Sequence, residues 1–319
     1  MPTATTDGRP AEAPRQLATP EELRRWSERC RAAGLRVGLV PTMGAIHAGH
    51  RSLVRRARAD CDRVVVSIFL NPRQFGPGDD FDSYPRSLDH DLAALADERV
   101  DAVFVPTAAA MYGEQSATTV HVDGSITAIL EGIHRPGHFD GVATVVAKLL
   151  IACRPHRAYF GQKDAQQCAV VRRLARDLDT GVEIAICPVV RDQDGLALSS
   201  RNVSLGADQR RRALSIPIGL SAAATAFAAG EHDSAALCEL VRRPMEEAGF
   251  AVDYVAAVDA QSFAAVDAAG HGCQILVAGR MGATRLIDVI RLGIDQAPLA
   301  AGLSHGSQVP GVIGIQGTD

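Results

Sequence analysis

Aromatic side chains are scarce in this sequence, at 4% of residues with a single Trp. A core must therefore be assembled from Val, Leu, Ile and Ala. There is no basic excess: the formal net charge is -4, which argues against a nucleic-acid partner. The 7 cysteines are odd in number and contain no C-x-x-C pair, so they read as reduced thiols of a cytoplasmic protein rather than a disulfide frame or zinc site. No apolar run is long enough to span a membrane. Residues 1–14 are rich in Ala, Thr and Pro and lack the apolar segment of a secretory signal. They read as a disordered lead-in, and the Gly-rich end at 304–319 as a loose tail. Also missing are a Walker lysine loop and a G-x-G-x-x-G after a strand. The commonest phosphate-transfer and nicotinamide-cofactor readings are weakened accordingly.

What remains is ordinary for a globular enzyme: 47% hydrophobic and 22% charged over 319 residues, enough for two domains or one large one. Strand-like apolar runs at 36–40, 63–70, 102–105, 158–160 and 182–187 alternate with helical patterns at 50–60, 88–98, 141–153 and 165–178. That alternation indicates a parallel sheet covered on both faces. Beyond residues 189–191 the pattern changes to helical stretches at 207–229 and 234–248, then strand-like runs at 252–258, 274–278 and 284–290. The expected division is a lead-in with a first helix (1–35), a parallel-sheet domain (36–189), a smaller α+β lid domain (190–300) and a tail (301–319).

Ligands of open parallel sheets bind beyond the carboxyl ends of the strands, and four strand ends here carry polar loops. The first is Pro41-Thr42-Met43-Gly44-Ala45-Ile46-His47-Ala48-Gly49-His50, running from strand to helix. His47 and His50 can donate to phosphate oxygens, while Gly44 and Gly49 allow close backbone approach. A plain helix-start turn with solvent-facing histidines is the alternative; zinc is weak, because the i, i+3 pair lacks a nearby third ligand. The second loop, Asn71 to Gly76, carries Gln74. The third, Gly161-Gln162-Lys163-Asp164, offers a lysine for a triphosphate and a carboxylate for ribose, lysine or metal; a helix-capping pair is the alternative. The fourth is Ser199-Ser200-Arg201-Asn202, whose hydroxyls and guanidinium can clamp β- and γ-phosphates. It follows an exposed-looking turn, Asp192-Gln193-Asp194-Gly195, suited to a hinge. Gln74 and Gln167 are neutral amides able to hold a hydroxy acid without neutralising its carboxylate, or simply surface glutamines. In the acidic stretch Asp79, Asp80, Asp82, Asp89 and Asp91, only Asp91 is a metal candidate, acting through phosphates and water.

Together with Ser67-Ile68-Phe69-Leu70, Tyr84-Pro85-Arg86, Arg135-Pro136-Gly137-His138-Phe139, Val252-Asp253-Tyr254 and Thr284-Arg285-Leu286-Ile287-Asp288, these segments resemble the pantothenate synthetase (pantoate–β-alanine ligase) family, in the family's order. The resemblance implies a Rossmann-like parallel sheet with helices on both faces plus a smaller C-terminal α+β domain. It implies a cytoplasmic homodimer that uses Mg²⁺ with ATP as co-substrate to join pantoate and β-alanine through pantoyl adenylate, with no membrane or nucleic-acid partner. Carried over by position, His47, His50, Lys163, Ser199, Ser200 and Arg201 are the catalytic set. Met43, Gly44, Gly49, Phe160, Gly161, Asp164, Val190 and Leu198 complete the ATP site. Pro41, Met43, Phe69, Val145 and Val146 wall pantoate, with Gln74 and Gln167 on its oxygens. The family usually has Glu, Tyr and Met where this chain has Gln162, Ala165 and Leu198. The competing readings are an adenylyltransferase of the same superfamily and a catalytically silent nucleotide-binding protein.

Overall fold

Runs such as Val64-Val65-Val66 are β-branched and apolar on both faces, as a strand between two helical layers requires. In the computed structural model, which describes residues 13–299, these runs form the centre of a parallel sheet. The chain runs through β1 (Arg15–Leu17), α1 (Pro20–Ala32), β2 (Val37–Thr42), α2 (Ala48–Asp60), β3 (Arg63–Ile68), α3 (Leu88–Asp97), β4 (Ala102–Phe104), α4 (Ala108–Tyr112), α5 (Ser125–Ala128), α6 (Glu131–His134), α7 (His138–Cys153), β5 (Arg157–Gly161), α8 (Ala165–Asp177) and β6 (Glu183–Cys187). It continues through α9 (Ala207–Ala213), α10 (Ser215–Ala228), α11 (Ser234–Glu247), β7 (Ala251–Val258), β8 (Gln274–Met281) and β9 (Thr284–Arg291).

The large sheet has the order β1-β4-β3-β2-β5-β6, every pairing parallel. Alternate strand residues serve opposite layers, as the period of two demands. Leu39, Val65 and Phe104 pack with α1, α7 and α8, whereas Val40, Val64, Val66 and Val103 pack with α2 and α3. From β2 the chain builds outward to β3 and β4, then returns to add β5 and β6 on the other side. The strand order therefore reverses between β2 and β5, and a crevice opens there.

The three C-terminal strands form an antiparallel sheet, β7-β8-β9. Its two faces are both used. On β8, Ile275 and Val277 pack against α10 and α11, while Leu276 and Ala278 join the core of the large sheet. An ionic cluster pins the same junction. Glu131 receives both terminal nitrogens of Arg285 at 2.9 and 2.7 Å and the Tyr254 hydroxyl at 2.7 Å, and Arg285 Nε donates to Asp253.

Several details depart from the sequence reading. The helical stretch 207–229 is two helices, α9 and α10, and Pro217 sits in the first turn of the second, where its missing N–H costs nothing. The short elements β1, α4, α5 and α6 carried no periodic signal. Residues 1–12 and 300–319 lie outside the described residues, and with them most of the proposed lead-in and tail. No helix among the described residues is long and apolar enough to cross a membrane.

Candidate active site

The turn after β2 is shaped by a carboxylate from another helix. Asp91 of α3, 1% exposed, accepts the backbone N–H groups of Ala45 at 2.9 Å and Ile46 at 2.7 Å. Ala45 adopts a left-handed conformation (φ 51°) and Gly44 a more positive one (φ 87°). A side chain on Gly44 would bring a Cβ to 2.9 Å from Asp91 Oδ2. Asp91 is therefore no metal ligand: both oxygens are committed to the backbone, and the expectation of a metal role is corrected. Gly44 is likewise absent from the cavity wall; the structure shows it shaping this turn.

The turn delivers His47 as the N-cap of α2, with Nδ1 accepting the Gly49 N–H at 3.1 Å. His50 lies one turn on, and the two rings stack with centroids 4.0 Å apart and planes 26° apart. Burial, reinforced by Lys163, lowers the pKa of His47 to about 4. Burial, with His47 and Lys163 behind it, lowers that of His50 to about 3. Both imidazoles are thus neutral at physiological pH, available as N–H donors rather than cations. Among the described residues His50 Nδ1 is buried without a hydrogen-bond partner, an orphan that a bound polar group would satisfy.

Across the switch point, β5 ends in the turn bearing Lys163. This is one of two lysines in the chain, beside Lys148, and among the described residues no ion pair or hydrogen bond engages it. From the C-terminal side, Ser199 caps the turn by accepting the Arg201 N–H, and Ser200 donates to the Tyr84 hydroxyl at 3.0 Å. Arg201 pairs with Asp80 in a two-pronged ion pair, both contacts at 2.7 Å. The turn at 192–195, expected to act as a hinge, carries ion pairs on both flanks. Arg191 grips Asp288 of β9 at 2.6 and 3.0 Å, and Arg210 holds Asp192 and Asp194.

The acid side of the site is built from β3 and α7. Gln74, 8% exposed, accepts from Asn71 Nδ2 at 3.1 Å and directs Nε2 towards Met43 Sδ at 3.2 Å. Asn71 also bonds Gly141 and Tyr112. Gly141 has no room for a side chain against Arg73, so α7 presses on the turn and fixes Gln74. Val145 and Val146 of the same helix face the cavity beside Phe69 and Pro41.

One cavity of about 200 Å³ gathers these groups, including Met43, Gly49, Phe160, Gly161, Asp164, Gln167, Val190 and Leu198. Of the site residues expected from sequence, only Gly44 and Asp91 are absent from its wall. A second cavity of about 340 Å³ lies between the sheets and shares Lys163, Asp164, Gln167, Ser199 and Arg201 with the first. Sequence reasoning missed the residues that hold these in place. Asn71, Asp80 and Glu131 had no recognised role, and the segments containing Tyr84, Arg135 and Arg285 were noted without one. Arg135 bonds Asp79 and the Gln74 carbonyl, which His138 Nδ1 also contacts at 2.8 Å. The signal for the last three was their presence in family-like segments.

Two neutral imidazoles, an uncompensated lysine and an arginine around a switch-point crevice, with no Walker loop, define a nucleotide-using α/β enzyme. Comparison with known proteins specifies which. The family model described as pantoate-beta-alanine ligase matches residues 15–291. The pantothenate synthetase of Acidobacterium capsulatum is 50% identical over 258 residues, covering 81% of this chain and 86% of that protein. That of Rubrobacter xylanophilus is 48% identical over 284 residues, covering 85% and 96%. Among solved structures, pantothenate synthetase from Thermus thermophilus superposes with a TM-score of 0.81 at 44% identity, covering 87% of this chain and 99% of that one. Pantoate-beta-alanine ligase from Francisella tularensis, complexed with beta-gamma ATP and beta-alanine, gives 0.72 at 31% identity, covering 88% and 98%. The chain belongs to the pantoate-beta-alanine ligase family.

Proposed function

We propose that this chain condenses pantoate with β-alanine at the expense of ATP, through pantoyl adenylate, releasing pyrophosphate and then AMP. The observation that carries the reading is the meeting, in one cavity, of a neutral histidine pair and a free lysine with an apolar wall bearing buried Gln74. Pro41, Met43, Phe69, Val145 and Val146 suit a dimethyl group. Gln74 and Gln167 suit hydroxyl and carboxylate oxygens, and being uncharged they leave the carboxylate nucleophilic.

In the first step a pantoate carboxylate oxygen attacks the α-phosphorus of ATP, and the bond to the pyrophosphate oxygen breaks. Charge grows on the phosphoryl oxygens and the leaving group. His47, His50 and Lys163 donate hydrogen bonds to those oxygens, and Ser199, Ser200 and Arg201 hold the β- and γ-phosphates. Their depressed pKa values suit the imidazoles to donating N–H bonds without surrendering a proton. Arg201 engages phosphate by sharing or leaving Asp80. In the second step the free amine of β-alanine attacks the acyl carbon, the carbon–oxygen bond to phosphate breaks, AMP leaves and the amine loses a proton. Positioning of the two reactants supplies most of the acceleration, and no covalent bond to protein is required.

Among the described residues no group of three or more His, Cys, Asp or Glu could hold a metal ion. Mg²⁺ fits only as an ion carried by the phosphates and water, and no step is assigned to it. A homodimer is part of the same reading, checked by light scattering against twice the 33.7 kDa chain mass.

The test is a reaction with Mg-ATP, pantoate and β-alanine in which AMP and pantothenate are followed together. Equal amounts of both are expected. With β-alanine omitted, pantoate-dependent exchange of labelled pyrophosphate into ATP should persist. ATP binding without AMP from any acid–amine pairing would refute the ligase reading.

A further inference from the structure

Lys163 has no partner of its own among the described residues, so its position beside the histidines is set by the backbone of the turn that carries it. That turn packs against β9, and one side chain ties the two together. Gln162, 2% exposed, donates from Nε2 to Asp295 Oδ2 at 2.5 Å. Asp295 lies just beyond β9 and is saturated by Arg291: the backbone N–H reaches Oδ2 at 2.8 Å, and Nε and a terminal nitrogen reach Oδ1 at 3.0 and 2.7 Å. Burial alone would raise the Asp295 pKa, but the Arg291 bonds and the Gln162 amide outweigh it and hold the carboxyl below its ordinary value. The other charged groups near the turn among the described residues include Lys163 and Asp164 on the turn itself and Asp288 of β9, which shares a cavity wall with Lys163 and is paired with Arg191.

We propose that Gln162, Asp295 and Arg291 form a clasp that positions Lys163 for the nucleotide phosphates, so that phosphate capture depends on the C-terminal sheet being docked. The proposal rests on the reading of Lys163 as a phosphate ligand. It also accounts for a departure from the family pattern. An acceptor-only Glu at 162 would oppose the ionised Asp295 at hydrogen-bond distance, and like charges that close cannot both stay ionised. An amide at 162 and a carboxylate at 295 are a matched pair in this chain. Gln162 and Asp295 are positioning residues; neither lines the cavity that holds the histidines.

The experiment compares wild type, Gln162→Glu, Gln162→Met and the double variant Gln162→Glu/Asp295→Asn by steady-state kinetics and by equilibrium Mg-ATP binding, at about pH 8 and pH 6. Gln162→Glu should raise KM and Kd for ATP about tenfold at the higher pH, and about threefold at the lower, where one proton is shared between the carboxylates. KM for pantoate should stay within about twofold. Gln162→Met, which lacks the donor but adds no charge, should weaken ATP by about threefold to fivefold at both pH values. The double variant puts a donor opposite a carboxylate again and should return ATP binding to within about threefold of wild type. Gln162→Met carries the test if Gln162→Glu does not fold. ATP parameters within about twofold of wild type in folded single variants would overturn the clasp, as would an equal rise for ATP and pantoate. A wild type that binds Mg-ATP but forms no AMP would refute the ligase reading instead, while the binding measurements would still test the clasp.

Discussion

Gly49→Ala separates the stability of the histidine turn from its chemistry. Gly49 sits in the first turn of α2 without a positive φ, so its backbone accepts alanine, and alanine is favoured over glycine in a helix by up to about 1 kcal/mol. The new Cβ, however, would lie 2.8 Å from His47 Cε1 and 2.9 Å from Nδ1. Non-bonded carbons settle at about 3.5–4.0 Å, so the ring must retreat by roughly 1 Å. The retreat breaks the Gly49 N–H bond to Nδ1, worth about 1 kcal/mol, and disturbs the stack on His50. Gain and loss nearly cancel, and global stability should change by less than about 1 kcal/mol. Activity should not be spared. A displacement of about 1 Å at a reacting centre costs on the order of 100-fold, close to the loss of one oxyanion donor. The assay pairs urea unfolding with kcat for AMP release. A folded variant retaining kcat within about threefold would refute the claim that the turn exists to place His47.

Asp91→Asn should destabilise by roughly 2–4 kcal/mol, because an amide cannot accept both the Ala45 and Ile46 N–H groups. The Mg²⁺ concentration for half-maximal rate should not move; a large increase would restore the metal role. His47, His50 and His138 have pKa values lowered to about 4, 3 and 4, chiefly by burial. The unfolded chain therefore binds more protons below about pH 6.5, and stability must fall on acidification from there towards those values, by up to about 1 kcal/mol per histidine between pH 7.5 and 5.5. Urea melts at both pH values would show it, and a pH-independent midpoint in that window would contradict burial of neutral rings. Glu131→Gln leaves Arg285 only Asp253 as ionic partner among the described residues, in a largely buried junction, so it should cost about 2–3 kcal/mol in chemical denaturation. A loss below about 0.5 kcal/mol would mean the junction is solvated.

The parallel sheet was legible because most of its strands are near-continuous apolar runs between amphipathic helices, whereas β1 pairs only three residues with β4 and has no period to detect. The reactive loops were legible for a related reason: the fold rule places ligands at strand ends, and the polar residues stand there in the sequence. What could not be read was the support beneath them. Asp91 meets Ala45 across 46 positions, Arg201 meets Asp80 across 121, and Arg285 meets Glu131 across 154. Nothing local distinguishes a carboxylate destined for backbone N–H groups from one free to bind a metal. Asp91 looked like the second and is the first. The turn at 192–195 looked free for the same reason, because Arg210 and Asp288, the partner of Arg191, come from elsewhere in the chain.

In the proposed reaction a pantoate carboxylate oxygen attacks the α-phosphorus in the cavity lined by His47, His50 and Lys163. Pantoate carrying oxygen-18 in both carboxylate positions tests it directly, by mass spectrometry of the products of a single turnover. A single heavy oxygen is expected in the phosphate of AMP and the other in the amide carbonyl of pantothenate. Unlabelled AMP beside labelled pyrophosphate, or unlabelled ADP beside labelled inorganic phosphate, would place the attack at the β- or γ-phosphorus and contradict it.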